Sequence, residues 1–213
     1  MIVNNFRQIA DMLIFESEDD FYHLQILMRK KDLPEHKKAR NNNARCIKTY
    51  YIKNKEYLLE KEEEIIGLCH MFTARAYINL NRKSFKKASL QLLKELSDRI
   101  IYEQYDHVYK AYQTVVGESL VNVGEKRWII DVDDRDINIA FKVASWIKLC
   151  KSEYVSDSEL GLYDNIIDYI PTVNGYHIIT RAFNVKQFEP YQLKYPVDIQ
   201  KNNPTLLYFN KNE

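Results

Sequence analysis

Only three cysteines and five glycines occur in this chain of 213 residues. Cys46, Cys69 and Cys150 are odd in number, widely scattered and form no CxxC pair. A disulfide framework and a zinc knuckle are therefore not signalled, no zinc is expected, and the thiols read as reduced and mostly buried. No apolar run approaches membrane-spanning length. The opening MIVNNFRQIADMLIFESEDD lacks the basic start and pure apolar core of a secretory leader. The expectation is a cytoplasmic protein with no membrane partner. Nor does one sign of charge dominate: 31 Lys and Arg against 30 Asp and Glu leave a net charge of +1. Any nucleic-acid surface must then come from local segregation of charge. What remains is ordinary in amount, 46% hydrophobic and 29% charged residues. That suits one domain, or two closely packed lobes, long enough to bury a core.

Charge is segregated along the chain. Arg29, Lys30, Lys31, Lys37, Lys38, Arg40, Arg45 and Lys48 face only Asp32 and Glu35 in sequence, and Asn41-Asn42-Asn43 interrupts them. This predicts a basic loop. A second cluster, Arg82, Lys83, Lys86 and Lys87, surrounds Ser84, a candidate helix N-cap. Both clusters are candidates for nucleic-acid binding, and both are compatible with a plain solvated face. Acidic runs at Glu16 to Asp20 and Glu60 to Glu64 balance the totals.

Periodicity predicts an N-terminal α/β lobe over 1–115. Its elements are a helix near Asn5 to Phe15, strands near Phe21 to Met28 and Cys46 to Ile52, and a helix near Lys55 to Leu68. A strand near Cys69 to Leu80 and a long helix from Ser84 to about Tyr112 complete it. In the last strand Thr73, Arg75, Tyr77, Asn79 and Asn81 share one face, which either lines a cleft or lies open to water. Leu90, Leu93, Leu96 and Ile100 have helical spacing and read as core. Gly117 and Gly124 join this lobe to a second over 116–213.

The second lobe has a definite order. Strand Trp128 to Asp133 leads to a helix from about Asp136 to Cys150. Strands Asn165 to Ile170 and Tyr176 to Arg181 flank an Asn174-Gly175 hairpin signal. A short helix near Val185 to Leu193, strand Pro196 to Gln200 and a turn at Asn202-Asn203-Pro204 into Leu206 to Phe209 follow. Without that last hairpin the order is βαββαβ, an α+β, RRM or ferredoxin-like arrangement.

Chemistry concentrates at the end of the first strand, Ile129-Ile130-Asp131-Val132-Asp133-Asp134. Alternation puts Asp131 and Asp133 on one face. Two adjacent carboxylates repel unless a cation joins them, and hard oxygen ligands suit Mg²⁺ or Mn²⁺. The alternative is a helix cap by Asp134 or Asp136. In a ferredoxin-like sheet the first strand lies between the third and the fourth, which would set Asp131 and Asp133 beside His177 and Asp198.

The order IIDVDD, then NGYH, then VD resembles the three motifs of the archaeo-eukaryotic primase superfamily, which includes primase-polymerases and the polymerase domains of bacterial end-joining ligases. Asp131 and Asp133 match the first motif, Gly175-Tyr176-His177 the second, and Val197-Asp198 the third. The resemblance implies nucleotidyl transfer to a 3′-hydroxyl on a DNA or RNA template, with nucleoside triphosphates as substrates. It implies two divalent ions held by Asp131, Asp133 and Asp198, and His177 on the incoming nucleotide's phosphates. Thr172 and Asn174, with the hairpin amides, are candidates to assist as an anion nest. Lys201 and Arg75 are phosphate partners on physical grounds alone. No zinc ligand cluster or helical C-terminal extension is present, so starting a chain would need a helicase or another replication subunit, in a phage or plasmid setting. Two other readings stay open: a non-catalytic RRM-like module that stacks bases on sheet aromatics, and another metal-dependent phosphoryl-transfer enzyme such as a nuclease.

Overall fold

The structure is a computed structural model and describes residues 2–33, 43–154 and 161–210. Its elements run β1 (Ile2–Asn4), α1 (Phe6–Met12), β2 (Asp20–Arg29), β3 (Ala44–Ile52), α2 (Lys55–Glu60), α3 (Glu62–Phe72), β4 (Arg75–Ile78), β5 (Lys83–Ser84) and α4 (Phe85–Ile101). Then come α5 (Ala111–Gly117), β6 (Arg127–Val132), α6 (Ile137–Ile147), β7 (Ile166–Pro171), β8 (Tyr176–Arg181), α7 (Val185–Gln192), β9 (Asp198–Gln200) and β10 (Thr205–Asn210). The chain is α+β, built on two antiparallel sheets.

The larger sheet has six strands in the order β1-β10-β4-β2-β3, with β5 also paired to β2. β2 lies inside it, and Phe21, Tyr22, Leu24 and Ile26 are buried. That explains why its sequence is a near-continuous apolar run rather than an alternating one. The smaller sheet has the order β7-β8-β6-β9. Trp128, Ile130 and Val132 of β6 and Ile178 of β8 pack beneath α6 and α7, with Ala140, Val143, Ala144, Ile147 and Phe188. The opposite face puts Ile129, Ile170 and Ile179 into one core with Phe6, Ile78 and Leu207 of the larger sheet's layer. Burying three such isoleucines contributes about 1.5–3 kcal/mol each.

Polar side chains finish the join between the sheets. The Asn81 amide donates to Arg127 O at 2.9 Å and accepts from Arg127 N at 2.8 Å, extending the ladder of β6 by a side chain. Asn5 Nδ2 donates to Leu206 O at 2.8 Å and Pro171 O at 3.0 Å. β10 is the final strand of the chain's described part, yet it sits between β1 and β4. The Asn202-Asn203-Pro204 turn therefore carries the chain across to the first sheet instead of closing a hairpin with β9.

Three local expectations are corrected. Cys69 to Phe72 continue α3, which ends at a left-handed Thr73 (φ 48°), so the strand expected from Cys69 begins only at Arg75. The long helix expected to reach Tyr112 stops at Ile101, and the chain turns at Glu103 (φ 55°) so that α5 folds back on α4. Leu90, Leu93 and Ile100, expected as core, are exposed. The face of α4 that packs against α5 runs through Phe85 and Ala88, and of the four residues the spacing suggested only Leu96 is half-buried. None of the helices among the described residues is long and apolar enough to cross a membrane.

Candidate active site

A cavity of about 430 Å³ opens between the two sheets. Its origin lies in the alternation of β6 and β8. Ile129 and Ile179 are cross-strand partners in the shared core, and two residues along the same face the partners are Asp131 and His177. Apolar contact gives way there to ionisable groups. Asp131 is also the partner of Asp198 on its other side, in β9. One strand position thus brings together residues 131, 177 and 198, as the expected strand order requires.

His177 is buried, paired at Nδ1 and facing Asp131 with Nε2. Nδ1 lies 2.8 Å from the Thr205 hydroxyl, and Nε2 lies 3.5 Å from Asp131 Oδ1. Gln200 follows Asp198 by two positions and so shares its face. Its amide Nε2 donates to Asp198 Oδ2 at 2.9 Å and approaches Asp131 Oδ2 at 3.4 Å. The two carboxylates converge on one electropositive group.

Helix capping leaves the motif acids untouched. Asp136 caps α6 through Asn138 N at 3.0 Å, and Asp134 accepts from Asp136 N at 2.8 Å. Asp131 and Asp133 line the cavity instead. The small residue of the GYH motif has a steric cause. A Cβ on Gly175 would lie 2.0 Å from Val132 O and 2.6 Å from Asp134 N, so only glycine lets the hairpin press against the backbone on both sides of Asp133.

The larger sheet supplies the basic wall. Arg29, Lys31, Arg75 and Tyr77 line the cavity, together with Thr172 and Asn174 of the hairpin. Arg29 Nη1 donates to Tyr77 Oη at 2.9 Å. Burial, with Arg29 and Arg75 nearby, lowers the Lys31 pKa, and Asp32 and Asp133 offset part of that. Arg75 is already paired: its guanidinium grips Asp32 through Nε at 2.7 Å and Nη2 at 2.5 Å, and it stacks over Phe209. It anchors the turn that carries Lys31 rather than presenting a free charge. The alternating face of β4 is accordingly buried, with Arg75 and Tyr77 on the cavity and Asn79 and Asn81 at the sheet junction.

Other candidates lie elsewhere. Lys201 sits over the Trp128 ring, 4.8 Å from its centroid, and does not line the cavity. The hairpin amide of Gly175 already donates to Thr172 Oγ1 at 3.1 Å, so it is not free as an anion nest. Lys30 borders a second hollow with Arg29, Lys31 and Asn43. Lys37, Lys38 and Arg40 lie outside the described residues. Two members of the second basic cluster, Arg82 and Lys83, are corrected as nucleic-acid contacts, while Lys86 and Lys87 are exposed. Lys83 is fully buried, donating to Asn122 Oδ1 at 2.7 Å and Glu118 O at 3.1 Å, and Arg82 is buried between Glu16 and Asp20. Ser84 does cap α4, accepting from Lys87 N at 3.0 Å. Of the thiols, Cys69 and Cys150 are buried but Cys46 is exposed.

Reasoning from sequence missed Gln200, Thr205 and Asp32, whereas Tyr77 belonged to the β4 face for which a cleft was one of two readings. Gln200 alone carried a signal, its two-residue spacing from Asp198. Comparison with known proteins adds nothing to these contacts: no family model, no curated protein and no solved structure matches the chain.

A divalent ion can be tested against the donor set. Among the described residues no three His, Cys, Asp or Glu side chains stand together as a ready cage. The acids nevertheless suit a hard cation: Asp131 and Asp198 already share one N–H donor, the neutral Gln200 amide, and Asp133 lines the same cavity as Asp131.

Proposed function

We propose that this chain is a small metal-dependent nucleotidyltransferase of primase-polymerase type, adding nucleotides to a 3′-hydroxyl on a nucleic-acid template. The observation that carries this reading is the register at Asp131, which pairs with His177 on one side and Asp198 on the other. Motif residues 46 and 67 positions away in sequence meet on adjacent strands. The strand order β7-β8-β6-β9 under two helices supports an RRM-like catalytic lobe within the expected 116–213, against an N-terminal α/β lobe that, beyond the expected 1–115, also takes in β10.

Each wall of the cavity then has a task. Arg29 and Lys31 neutralise and orient a triphosphate, and His177 donates to one of its phosphate oxygens. Asp131, Asp133 and Asp198 would hold Mg²⁺ or Mn²⁺, which supplies a lowered pKa at the attacking hydroxyl and charge neutralisation at the leaving pyrophosphate. Strand pairing on both sides holds the backbone of Asp131 in place, so its carboxylate is positioned before substrate arrives. The RRM-like binding module fits less well. The sheet face such modules use for base stacking is covered here, with Ile129 and Ile179 almost wholly buried against the first sheet.

Template-directed extension tests the reading. Wild type with Mg²⁺ or Mn²⁺, a primed template and each nucleotide set should lengthen the primer, and Asp131→Ala, Asp133→Ala should not. Strand cleavage in place of growth would move the assignment to a nuclease. Equal extension by the variant would remove the metal assignment. The setting that fits is cytoplasmic replication of a phage or plasmid, with a helicase or other replication subunit for initiation.

A further inference from the structure

We infer that the outward face of α4 is a self-association surface, on which a second copy of this chain docks as an antiparallel helix pair. The inner face is already occupied, where Phe85 and Ala88 of α4 cluster with Tyr112 and Val115 of α5. The opposite side carries Leu90, Leu93 and Ile100, which are 59%, 66% and 61% exposed, with exposed Ser97 between them. Positions 90, 93, 97 and 100 follow spacings of three, four and three residues, the seam of a helix that pairs with another helix. Large apolar side chains grouped on an otherwise solvated helix face mark an interaction site. None of these residues lines the cavity between the sheets, so the surface is separate from the proposed active site.

The seam is complementary to itself when reversed. Its spacing reads the same in both directions, so a two-fold axis through the middle of α4 lays Leu90 against Ile100 of the second copy and Leu93 against its Ser97, and each contact occurs twice. The small Ser97 leaves room for Leu93. Charge obeys the same symmetry. Exposed Lys86 lies at one end of the seam and exposed Glu103 and Asp106 at the other, so an antiparallel pair sets each basic end beside the acidic end of the other copy. Near the middle, Lys94 and Asp98 stand one turn apart on the same flank. Reversal brings Lys94 next to Asp98 of the second copy and produces a quartet of alternating sign. A parallel pair would instead set like charges side by side, and it would align the two helix dipoles unfavourably.

Sedimentation velocity of the full chain across micromolar concentrations tests the surface, with far-UV circular dichroism confirming that each variant is folded. Wild type should approach twice 25.4 kDa as concentration rises. Leu93→Glu puts a charge into the seam of both copies and should weaken the dimer about a hundredfold. Leu193→Glu, at a still more exposed leucine beyond α7, should leave it unchanged. Lys94→Asp and Asp98→Lys should each dimerise more weakly than wild type, because like charges then meet across the axis. An equimolar mixture of those two variants should recover association as a heterodimer, a recovery that only contact between chains can supply. A wild-type chain that stays at 25.4 kDa throughout, a dimer that Leu93→Glu leaves intact, or a mixture no tighter than either charge variant alone overturns the inference.

Discussion

Replacing Gly175 by alanine puts a Cβ 2.0 Å from Val132 O, 2.6 Å from Asp134 N and 2.7 Å from Asp134 O. All three atoms are backbone, so no side chain can rotate away. Relief requires the hairpin to lift from β6 or the backbone around Asp133 to shift. Overpacking of this kind costs about 1–3 kcal/mol, and three backbone contacts place Gly175→Ala at about 3 kcal/mol. For a chain of this size each kcal/mol lowers Tm by roughly 2–4 °C, which gives a fall of about 6–12 °C. Gly67→Ala serves as the control. Gly67 lies within α3 with nothing within 4 Å of its would-be Cβ, so alanine there should add about 0.5–1 kcal/mol. Thermal unfolding followed by circular dichroism measures both. Primer extension by Gly175→Ala, assayed below its midpoint, should also drop, because the displaced backbone carries Asp133. A Gly175→Ala midpoint within about 2 °C of wild type, with extension unchanged, would refute the claim that glycine is needed for the close approach.

Two further outcomes follow from buried polar groups. Burial brings the Lys83 ammonium down to about 8, while the unfolded chain restores its ordinary value near 10.4. Below pH 8 both states are protonated and the penalty is constant. Between pH 8 and 10 the unfolded state binds more protons, so stability rises with pH, by about 2 kcal/mol. Urea unfolding at the two pH values should show that rise in wild type and lose it in Lys83→Met. Asn81→Ala orphans the buried N–H and C=O of Arg127 and should cost about 3 kcal/mol in the same assay. A loss under about 0.5 kcal/mol would mean that the amide does not join the sheets.

The part of the site carried by strand order was legible in the sequence. Alternation gave the face of Asp131, the Asn-Gly hairpin gave the return of β8, and βαββαβ order then set residues 131, 177 and 198 side by side. What linear reading did not give was the apposition of the two sheets. Arg29 and Lys31 read as the start of a basic loop for nucleic acid, yet they reach the cavity because β2 lies opposite β6 and β8. Arg75 read as a free cation because its partner, Asp32, is 43 residues away. Lys83 read as a surface charge since nothing local distinguishes a solvated lysine from one buried on Glu118 O and Asn122. Leu90, Leu93 and Ile100 had the spacing of a packed face, but α5 folds against a different stripe of α4. Thr205 carried no signal, for its partner exists only once β10 has crossed between the sheets.

The proposed chemistry needs acids from separate strands to hold jointly a cation which a triphosphate shares. A crystal soaked with Mn²⁺ and a deoxynucleoside triphosphate tests it most directly through the anomalous signal of manganese. Manganese density should be bounded by Asp131, Asp133 and Asp198, with the phosphates toward Arg29, Lys31 and His177. Manganese bound away from Asp131, or phosphates seated outside the cavity between the sheets, would contradict it.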